Sequence, residues 1–237
     1  MKEAVIISTA RTGIGKAYKG AFNNTNSPTM AGFAISEAVK RAKIDPAEVD
    51  DVIMGCALQQ GTSSPNIGRL AALAGGLPVT VSGMTIDRQC SSGMMAIATA
   101  AKQIINDGMQ VTIGGGLDSI SLVQNDKMNT YRMVDKALVA KHPATYMPML
   151  QTAEIVAKRY GISRERQDEY GYQSQMRTAA AQAAGKFDDE IIPVTVTKGI
   201  FNKETKEVTY EEITLTKDEG NRPSTTLEGL NNLRLVN

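Results

Sequence analysis

The sequence reads Asp87-Arg88-Gln89-Cys90-Ser91-Ser92-Gly93 at the point where a short apolar segment, residues 81–86, meets a long one, residues 91–106. The shorter segment predicts a β-strand. The longer one predicts a helix that has almost no charge before Lys102, and a helix that is apolar on every side must be buried. A buried strand that leads directly into a buried helix is typical of a layered α/β domain.

The same alternation extends toward the N-terminus and for a short distance toward the C-terminus. Further strands are predicted at residues 5–9, 52–58 and 111–113. Further helices are predicted at residues 27–43, with Ser27 as the N-cap and Pro28 at the first helical position, and at residues 66–75. The strand at 111–113 runs into three glycines, residues 114–116, which predict either unusual backbone angles or the close approach of another segment.

The character of the sequence changes after about residue 119. Residues 120–148 lack a clean hydrophobic period and are predicted to be irregular. Helices resume at residues 151–160 and 164–184, the second of them capped by Ser163 and followed by Gly185. Residues 191–197 and 208–215 predict a β-hairpin around a polar turn. The boundary near residue 119 therefore divides the chain into two parts of different construction.

Composition and charge exclude several classes of protein. The 26 Lys and Arg residues nearly balance the 25 Asp and Glu residues, so no overall field favours nucleic acid or a membrane surface. No apolar stretch approaches the roughly 20 residues that span a bilayer, and the N-terminus does not resemble a secretory signal. The two cysteines, Cys56 and Cys90, have no metal-ligand spacing. We therefore predict a cytoplasmic protein without a metal site.

Cys90 is the candidate nucleophile. The unpaired N–H groups and the dipole at the start of a helix stabilise a thiolate, and the small residues Ser91, Ser92 and Gly93 leave the sulfur accessible. A strand-to-helix turn also presents the nucleophile in hydrolases. Most free cysteines, however, only fill space in a core, and position alone leaves that alternative open for Cys90. Nothing in the sequence near Cys56 suggests activation, so Cys56 is predicted to pack in the core.

Five segments in order along the chain resemble those of the thiolase family. Residues 87–93 resemble the active-site pattern N-R-Q-C-S-S-G, with Asp87 in place of asparagine, and residues 11–16 resemble R-T-P-I-G-K, with Gly13 in place of proline. Residues 114–119 resemble A-G-G-M-E-S, residues 152–154 match T-A-E, and residues 222–230 resemble R-P-D-T-T-L-E-G-L. These matches cover almost the whole chain and favour Cys90 as a nucleophile.

The resemblance implies a fold and a reaction. The fold would be a thiolase-like layered α/β half-core at residues 1–118, followed at residues 119–237 by an inserted α+β loop domain that ends before it returns to the core. Cys90 would attack an acyl-CoA, hold the acyl group as a thioester and pass it on, in 3-ketoacyl-CoA thiolysis or in acetyl-CoA condensation. Coenzyme A would be a substrate, and no further cofactor is implied.

The resemblance also implies binding residues. Arg222 would contact the nucleotide part of CoA, and Met149 would line the channel for its pantetheine arm. Taken alone, Arg222 would be a solvated arginine in a turn and Met149 would be core packing. The form R-Q-C-S-S-G together with Pro148-Met149 leans toward the degradative branch of the family.

The chain lacks parts that the family uses. The general-base histidine and a second catalytic cysteine belong to a C-terminal half, whereas His142, the single histidine here, is predicted to be a surface loop residue. We therefore expect turnover to require a complementing C-terminal half, and the partners expected are acyl-CoA, CoA and either that half or further copies of this chain. The alternative is a non-catalytic acyl-CoA-binding or assembly module derived from a thiolase.

Overall fold

A computed structural model describes residues 2–235, which divide into two compact units. The first unit contains the residues up to Met128 together with Asp188–Gly220, and the second contains Asn129–Phe187 together with the residues after Gly220. This division differs from the sequence boundary near residue 119. The strands that follow residue 190 pack on Phe22, which places them in the first unit.

The first unit is built on a three-stranded parallel sheet. Its strands are β2 (Asp51–Gly55), β3 (Ser82–Ile86) and β4 (Thr112–Gly116), in the order β3-β2-β4. The last residue of β2 lies opposite the last residues of both β3 and β4, so all three carboxyl ends meet at one edge. The strands predicted at these places are confirmed, although β2 ends three residues earlier than expected.

Helices cover both faces of this sheet. Helices α1 (Ser27–Ala42) and α2 (Ile67–Ala74) share one apolar cluster with Val52 and Met54, whereas α3 (Ser92–Asn106) shares another with Ile53. Successive side chains of a strand point to opposite faces, so β2 is buried along its whole length between two layers. Both predicted helices before α3 are confirmed within two residues at each end.

The prediction that α3 is buried on every side was wrong. Ala96 and Ala100 pack against the sheet, whereas Met94 is 75% exposed and Ile97 is half exposed. The absence of charge predicted a second layer over this helix, but the part of the chain that the structure describes supplies a layer on one face only.

The predicted strand at residues 5–9 is also wrong. The first strand is instead β1 (Arg11–Thr12), which pairs in parallel with β5 (Ile191–Ile192). Val5, Ile6 and Ile7 are largely exposed and line an open apolar groove of about 850 Å³ that also borders β4. Their β-branched composition predicted a strand, but among the described residues no strand pairs with them.

The predicted hairpin at the end of the first unit is confirmed. Strands β6 (Val194–Phe201) and β7 (Val208–Leu215) pair antiparallel over eight residues each. Val194, Val196 and Leu215 form an apolar cluster with Phe22, which lies in a short 3-10 helix, Ala21–Asn24. Two further 3-10 turns occur at Pro46–Glu48 and Gly61–Ser63.

The remaining helices include one in the first unit and four in the second. Helix α4 (Ile120–Val123) belongs to the first unit, and the second unit contains α5 (Lys136–Lys141), α6 (Met149–Tyr160), α7 (Arg164–Ala183) and α8 (Leu227–Asn231). The Ser163 hydroxyl accepts from the Arg166 N–H and caps α7 as predicted, and Gly185 follows with φ of 66°. Residues 120–148, predicted to be irregular, contain only the two short helices α4 and α5. Within residues 2–235, no helix has the length and apolarity that crossing a bilayer requires.

A partly buried group of ion pairs connects the start of the first unit to the segment after β7. Arg11 donates to both carboxylate oxygens of Asp218, at 2.7 and 3.1 Å, and to Glu190 at 2.9 Å. Asp218 also accepts from the Ile14 N–H at 2.7 Å. The hydrogen bond from Arg11 is the largest cause that holds the pKa of Asp218 below its ordinary value.

We expect Asp218→Asn to lower the free energy of unfolding by about 1.5–3 kcal/mol at pH 7, because the hydrogen bonds that it weakens involve a charged group. A carboxyl group with a lowered pKa stabilises the fold above its unfolded pKa of about 4, and that stability is lost as the pH falls through the folded value. Urea unfolding at pH 7 and at acid pH should therefore show a difference between the two proteins that shrinks on acidification.

The matched control for Asp218→Asn is Glu37→Gln. Glu37 pairs with Arg41 one turn along the surface of α1, where solvent screens the pair. The Glu37 variant should lose less stability than the Asp218 variant. Equal losses in the free energy of unfolding would contradict the prediction that Asp218 contributes more stability than an ion pair on the surface of α1.

Candidate active site

Three segments that carry reactive or charged side chains follow the three strands at the carboxyl edge of the parallel sheet. Cys56 follows β2, Asp87 follows β3 and Asp118 lies two residues after β4. The carboxyl edge of a parallel sheet is where open α/β folds place their ligands. The sheet therefore brings the turn that contains Cys90 next to the ends of two other strands.

The turn that contains Cys90 is held by its own side chains. Asp87 Oδ1 accepts from the Gln89 N–H at 2.7 Å, and the Arg88 N–H donates to Ser92 Oγ at 2.9 Å. Ser92 Oγ in turn donates to the Gln89 carbonyl oxygen at 2.6 Å. Gln89 has φ of 49°, a left-handed backbone conformation that residues other than glycine seldom adopt unless their surroundings impose it.

Cys90 itself is a free, exposed thiol two residues before the first residue of α3. The backbone N–H groups of Ser91 and Ser92 are used inside the turn, by the carbonyl oxygens of Arg88 and Gln89. The sequence placed Cys90 where a strand gives way to a helix, and the structure agrees. Its exposure is consistent with a reactive group and opposes the alternative that it fills the core.

Glycines let the start of α3 approach the strand ends. A Cβ atom on Gly55 would lie 2.1 Å from the carbonyl carbon of Ser92, and one on Gly116 would lie 2.9 Å from the Cα of Gly93. One on Gly114 would lie 2.7 Å from the Cα of Ile97. The close approach predicted from the three glycines at 114–116 is therefore confirmed, and it sets the height of the Cys90 turn above the sheet.

Cys56 is buried, as predicted. Its Sγ lies 3.4 Å from Asp118 Oδ1, and Asp118 also accepts from the N–H groups of Ala57 and Leu58. Burial, with a smaller contribution from the nearby Asp118 carboxylate, raises the pKa of the Cys56 thiol to about 11. Cys56 therefore stays protonated near neutral pH. Sequence inspection missed the role of Asp118, because its partners are 60–62 residues away in the chain.

The two predicted CoA-binding residues both lie in the second unit. Met149 is the first residue of α6 and is 75% exposed, so it does not pack in a core there. Arg222 is exposed, and its backbone N–H donates to Gln175 Oε1 at 2.7 Å. Gln175, on α7, also accepts from the Asn221 side chain. No sequence pattern marks Gln175, because nothing in the sequence indicates which face of α7 contacts the turn at Asn221 and Arg222.

His142 is an exposed residue outside the helices, as the sequence predicted. It follows α5 as an exposed residue, and its carbonyl oxygen accepts from the Thr145 hydroxyl at 2.8 Å. Over residues 2–235, no group of three or more His, Cys, Asp or Glu side chains is arranged to hold a metal ion.

Known proteins match both the sequence and the fold. The sequence profile of the family described as "Thiolase, N-terminal domain" matches residues 4–236. A 3-ketoacyl-CoA thiolase of Bacillus subtilis is 41% identical, over 99% of this chain and 59% of the relative. The human peroxisomal 3-ketoacyl-CoA thiolase is 37% identical, over 98% of this chain and 53% of the relative.

A solved structure agrees with these relatives. The acetyl-CoA acetyltransferase of Bacillus anthracis superimposes with a TM-score of 0.83 at 35% identity, and the match covers 99% of this chain and 59% of that one. The present chain thus spans somewhat more than half the length of the proteins it matches. The match extends across the Cys90 turn and the segments of both units, and the chain belongs to the thiolase family, with the sequence of its N-terminal domain.

Proposed function

We propose that this chain accepts the acyl group of an acyl-CoA on the sulfur of Cys90. The exposed Cys90 thiol, held in a fixed turn at the start of α3 while Cys56 is buried and protonated, carries this proposal. The names of the relatives, 3-ketoacyl-CoA thiolase and acetyl-CoA acetyltransferase, describe acyl transfer between CoA thioesters in those proteins.

The proposed step is an exchange of thioesters. The Cys90 sulfur forms a bond to the acyl carbonyl carbon while the bond from that carbon to the CoA sulfur breaks, and the proton of the Cys90 thiol ends on the CoA thiol. No oxidant or reductant takes part. In condensation, the acyl group then passes from Cys90 to C2 of acetyl-CoA, whose proton ends on the Cys90 sulfur. In thiolysis, the Cys90 sulfur instead bonds to the C3 carbonyl carbon of a 3-ketoacyl-CoA, the bond between C2 and C3 breaks, and the thiol proton ends on C2 of the departing acetyl-CoA. Free CoA then takes the acyl group from Cys90 and returns its own thiol proton to the Cys90 sulfur.

We propose that the second unit binds CoA through Arg222 and Met149. An exposed guanidinium is suited to phosphate groups, and an exposed methionine offers an adaptable apolar surface to an alkyl chain. CoA is then a substrate, and no additional cofactor is proposed. The cytoplasmic location stays a prediction, because several relatives are named as peroxisomal.

We further propose that full turnover needs groups that these 237 residues do not provide. The only histidine of the chain, His142, follows α5 in the second unit, and Cys56 has a raised pKa. The part of the relatives' length that this chain does not cover would supply a general base.

The first experiment measures the reactivity of Cys90 by alkylation with iodoacetamide. The buried Cys56 is a poor reference, so the matched control is Cys90→Ser/Ser174→Cys, which places one exposed thiol in the middle of α7. We expect Cys90 to react about tenfold faster than the control thiol, which corresponds to about 1.4 kcal/mol in activation free energy. Equal rates would contradict an activated thiol.

A second measurement looks for the thioester itself. After incubation with acetyl-CoA, the peptide that contains Cys90 should gain an acetyl group that neutral hydroxylamine removes, and Cys90→Ser should gain none. CoA binding by calorimetry without any thioester, also when the C-terminal part of the Bacillus subtilis relative is added, would instead support a non-catalytic acyl-CoA-binding module.

A further inference from the structure

The hydroxyl group of Ser92 is used entirely inside the chain. Ser92 is 3% exposed, and its Oγ accepts from the Arg88 N–H at 2.9 Å and donates to the Gln89 carbonyl oxygen at 2.6 Å. Asp87 Oδ1 lies 3.5 Å from the same Oγ and accepts from the Gln89 N–H at 2.7 Å. The side chains of Ser92 and Asp87 therefore satisfy three backbone groups: the N–H of Arg88, and the N–H and carbonyl oxygen of Gln89.

These bonds surround a strained residue. Gln89 has φ of 49°, and a left-handed conformation in a residue with a side chain persists only when its surroundings impose it. Ser92 N–H also donates to the Gln89 carbonyl oxygen, at 3.0 Å, so this oxygen accepts two bonds from one residue. Cys90 is the next residue in the chain, and the direction of its backbone depends on that conformation.

We propose that Ser92 is a positioning residue for Cys90: its buried hydroxyl, together with Asp87, holds Gln89 in the left-handed conformation that presents the thiol. This inference rests on the proposed function, because it assigns Ser92 a part in the reactivity of Cys90. Ser92 does not touch the acyl group. It fixes the geometry of the attacking sulfur before the substrate arrives.

The test measures the rate of alkylation of Cys90 by iodoacetamide in the whole chain. Ser92→Ala should react about tenfold more slowly than the wild type, because the turn no longer holds one conformation. The control Thr99→Ala removes a hydroxyl from the same helix, one that donates to the Met95 carbonyl oxygen, and should leave the rate unchanged.

A glycine at position 89 in the Ser92→Ala variant distinguishes a loss of positioning from a general loss of structure. Glycine adopts positive φ without strain, so Ser92→Ala/Gln89→Gly should recover most of the wild-type rate. The proposal is overturned if Ser92→Ala reacts at the wild-type rate, or if the double variant reacts no faster than Ser92→Ala.

A second route is available should Ser92→Ala not fold, as judged by its thermal unfolding. Asp87→Ala removes the acceptor of the Gln89 N–H from the outer side of the turn, and it should slow alkylation with the same recovery on Gln89→Gly. No slowing in Asp87→Ala, or no recovery, would count against the proposal. If wild-type Cys90 reacts only as fast as the control thiol on α7, the proposed function fails instead, and the two failures are thereby distinguished.

Discussion

Gly55→Ala is expected to lower the free energy of unfolding by about 3 kcal/mol or more, at the upper end of what overpacking costs. The added Cβ would lie 2.1 Å from the carbonyl carbon and 2.3 Å from the oxygen of Ser92, and 2.4 Å from the nitrogen of Gly93. These are backbone atoms, so no side chain can rotate to relieve the clash. Either β2 or the first turn of α3 must shift.

The measurement is urea unfolding, with Gly220→Ala as the control. A Cβ on Gly220 would meet no atom within 4 Å, and its backbone does not need a positive φ, so its stability should change by less than about 0.5 kcal/mol. Alkylation of Cys90 should also change in Gly55→Ala, because Ser92 holds the turn. A Gly55 variant as stable as the control would show that the sheet and α3 lie farther apart than the structure places them.

Gln103→Leu is expected to lower the free energy of unfolding by about 1.5–3 kcal/mol, because it leaves a buried polar group without its partner. Gln103 Nε2 donates to Asp51 Oδ2 at 2.8 Å, between α3 and β2, and the two residues are only 9% and 6% exposed. The other Asp51 oxygen accepts from the Val52 N–H at 2.9 Å. Leucine has a similar size but no donor, so a buried carboxylate would lose its side-chain partner.

A double-mutant cycle tests the origin of this loss. Removing both partners in Gln103→Leu/Asp51→Val leaves no buried carboxylate, so the double variant should be more stable than the sum of the two single losses predicts. Urea unfolding of the four proteins gives the coupling free energy. Additive losses would show that the side-chain hydrogen bond does not carry the effect.

The sequence predicted the local elements well where two signals agreed. Helix α7 is capped by the Ser163 hydroxyl as predicted, because capping chemistry involves residues a few positions apart. In α1 the expected cap, Ser27, is instead the first helical residue, and Asn26 at the cap position makes no side-chain cap hydrogen bond, although Pro28 lies in the first turn as predicted. The strand predicted at residues 5–9 was wrong because a strand depends on pairing with a distant segment, unlike a helix cap. β-Branched composition favours an extended chain, but pairing needs a neighbouring strand that composition cannot supply.

The site divides in the same way. The sequence indicated Cys90 from its place between a strand and a helix, and the ordered motifs of a known family supported it. An aspartate followed two residues later by a backbone donor is a local turn signal, so the bond from the Gln89 N–H to Asp87 was within reach of sequence inspection. The packing of Ser92 on Gly55 was not, because 37 residues separate them and only the sheet brings them together.

What the sequence by itself determined is the kind of most elements in this chain and the residue proposed to carry an acyl group. Both depend on interactions between residues close in the chain: hydrophobic period, helix caps and a thiol at the start of a helix. Only the tertiary structure decided that the buried Cys56 lies beside Asp118, and which serine holds the turn. Those distinctions depend on the parallel register of β2 with β3 and β4, which places residues far apart in sequence at one edge.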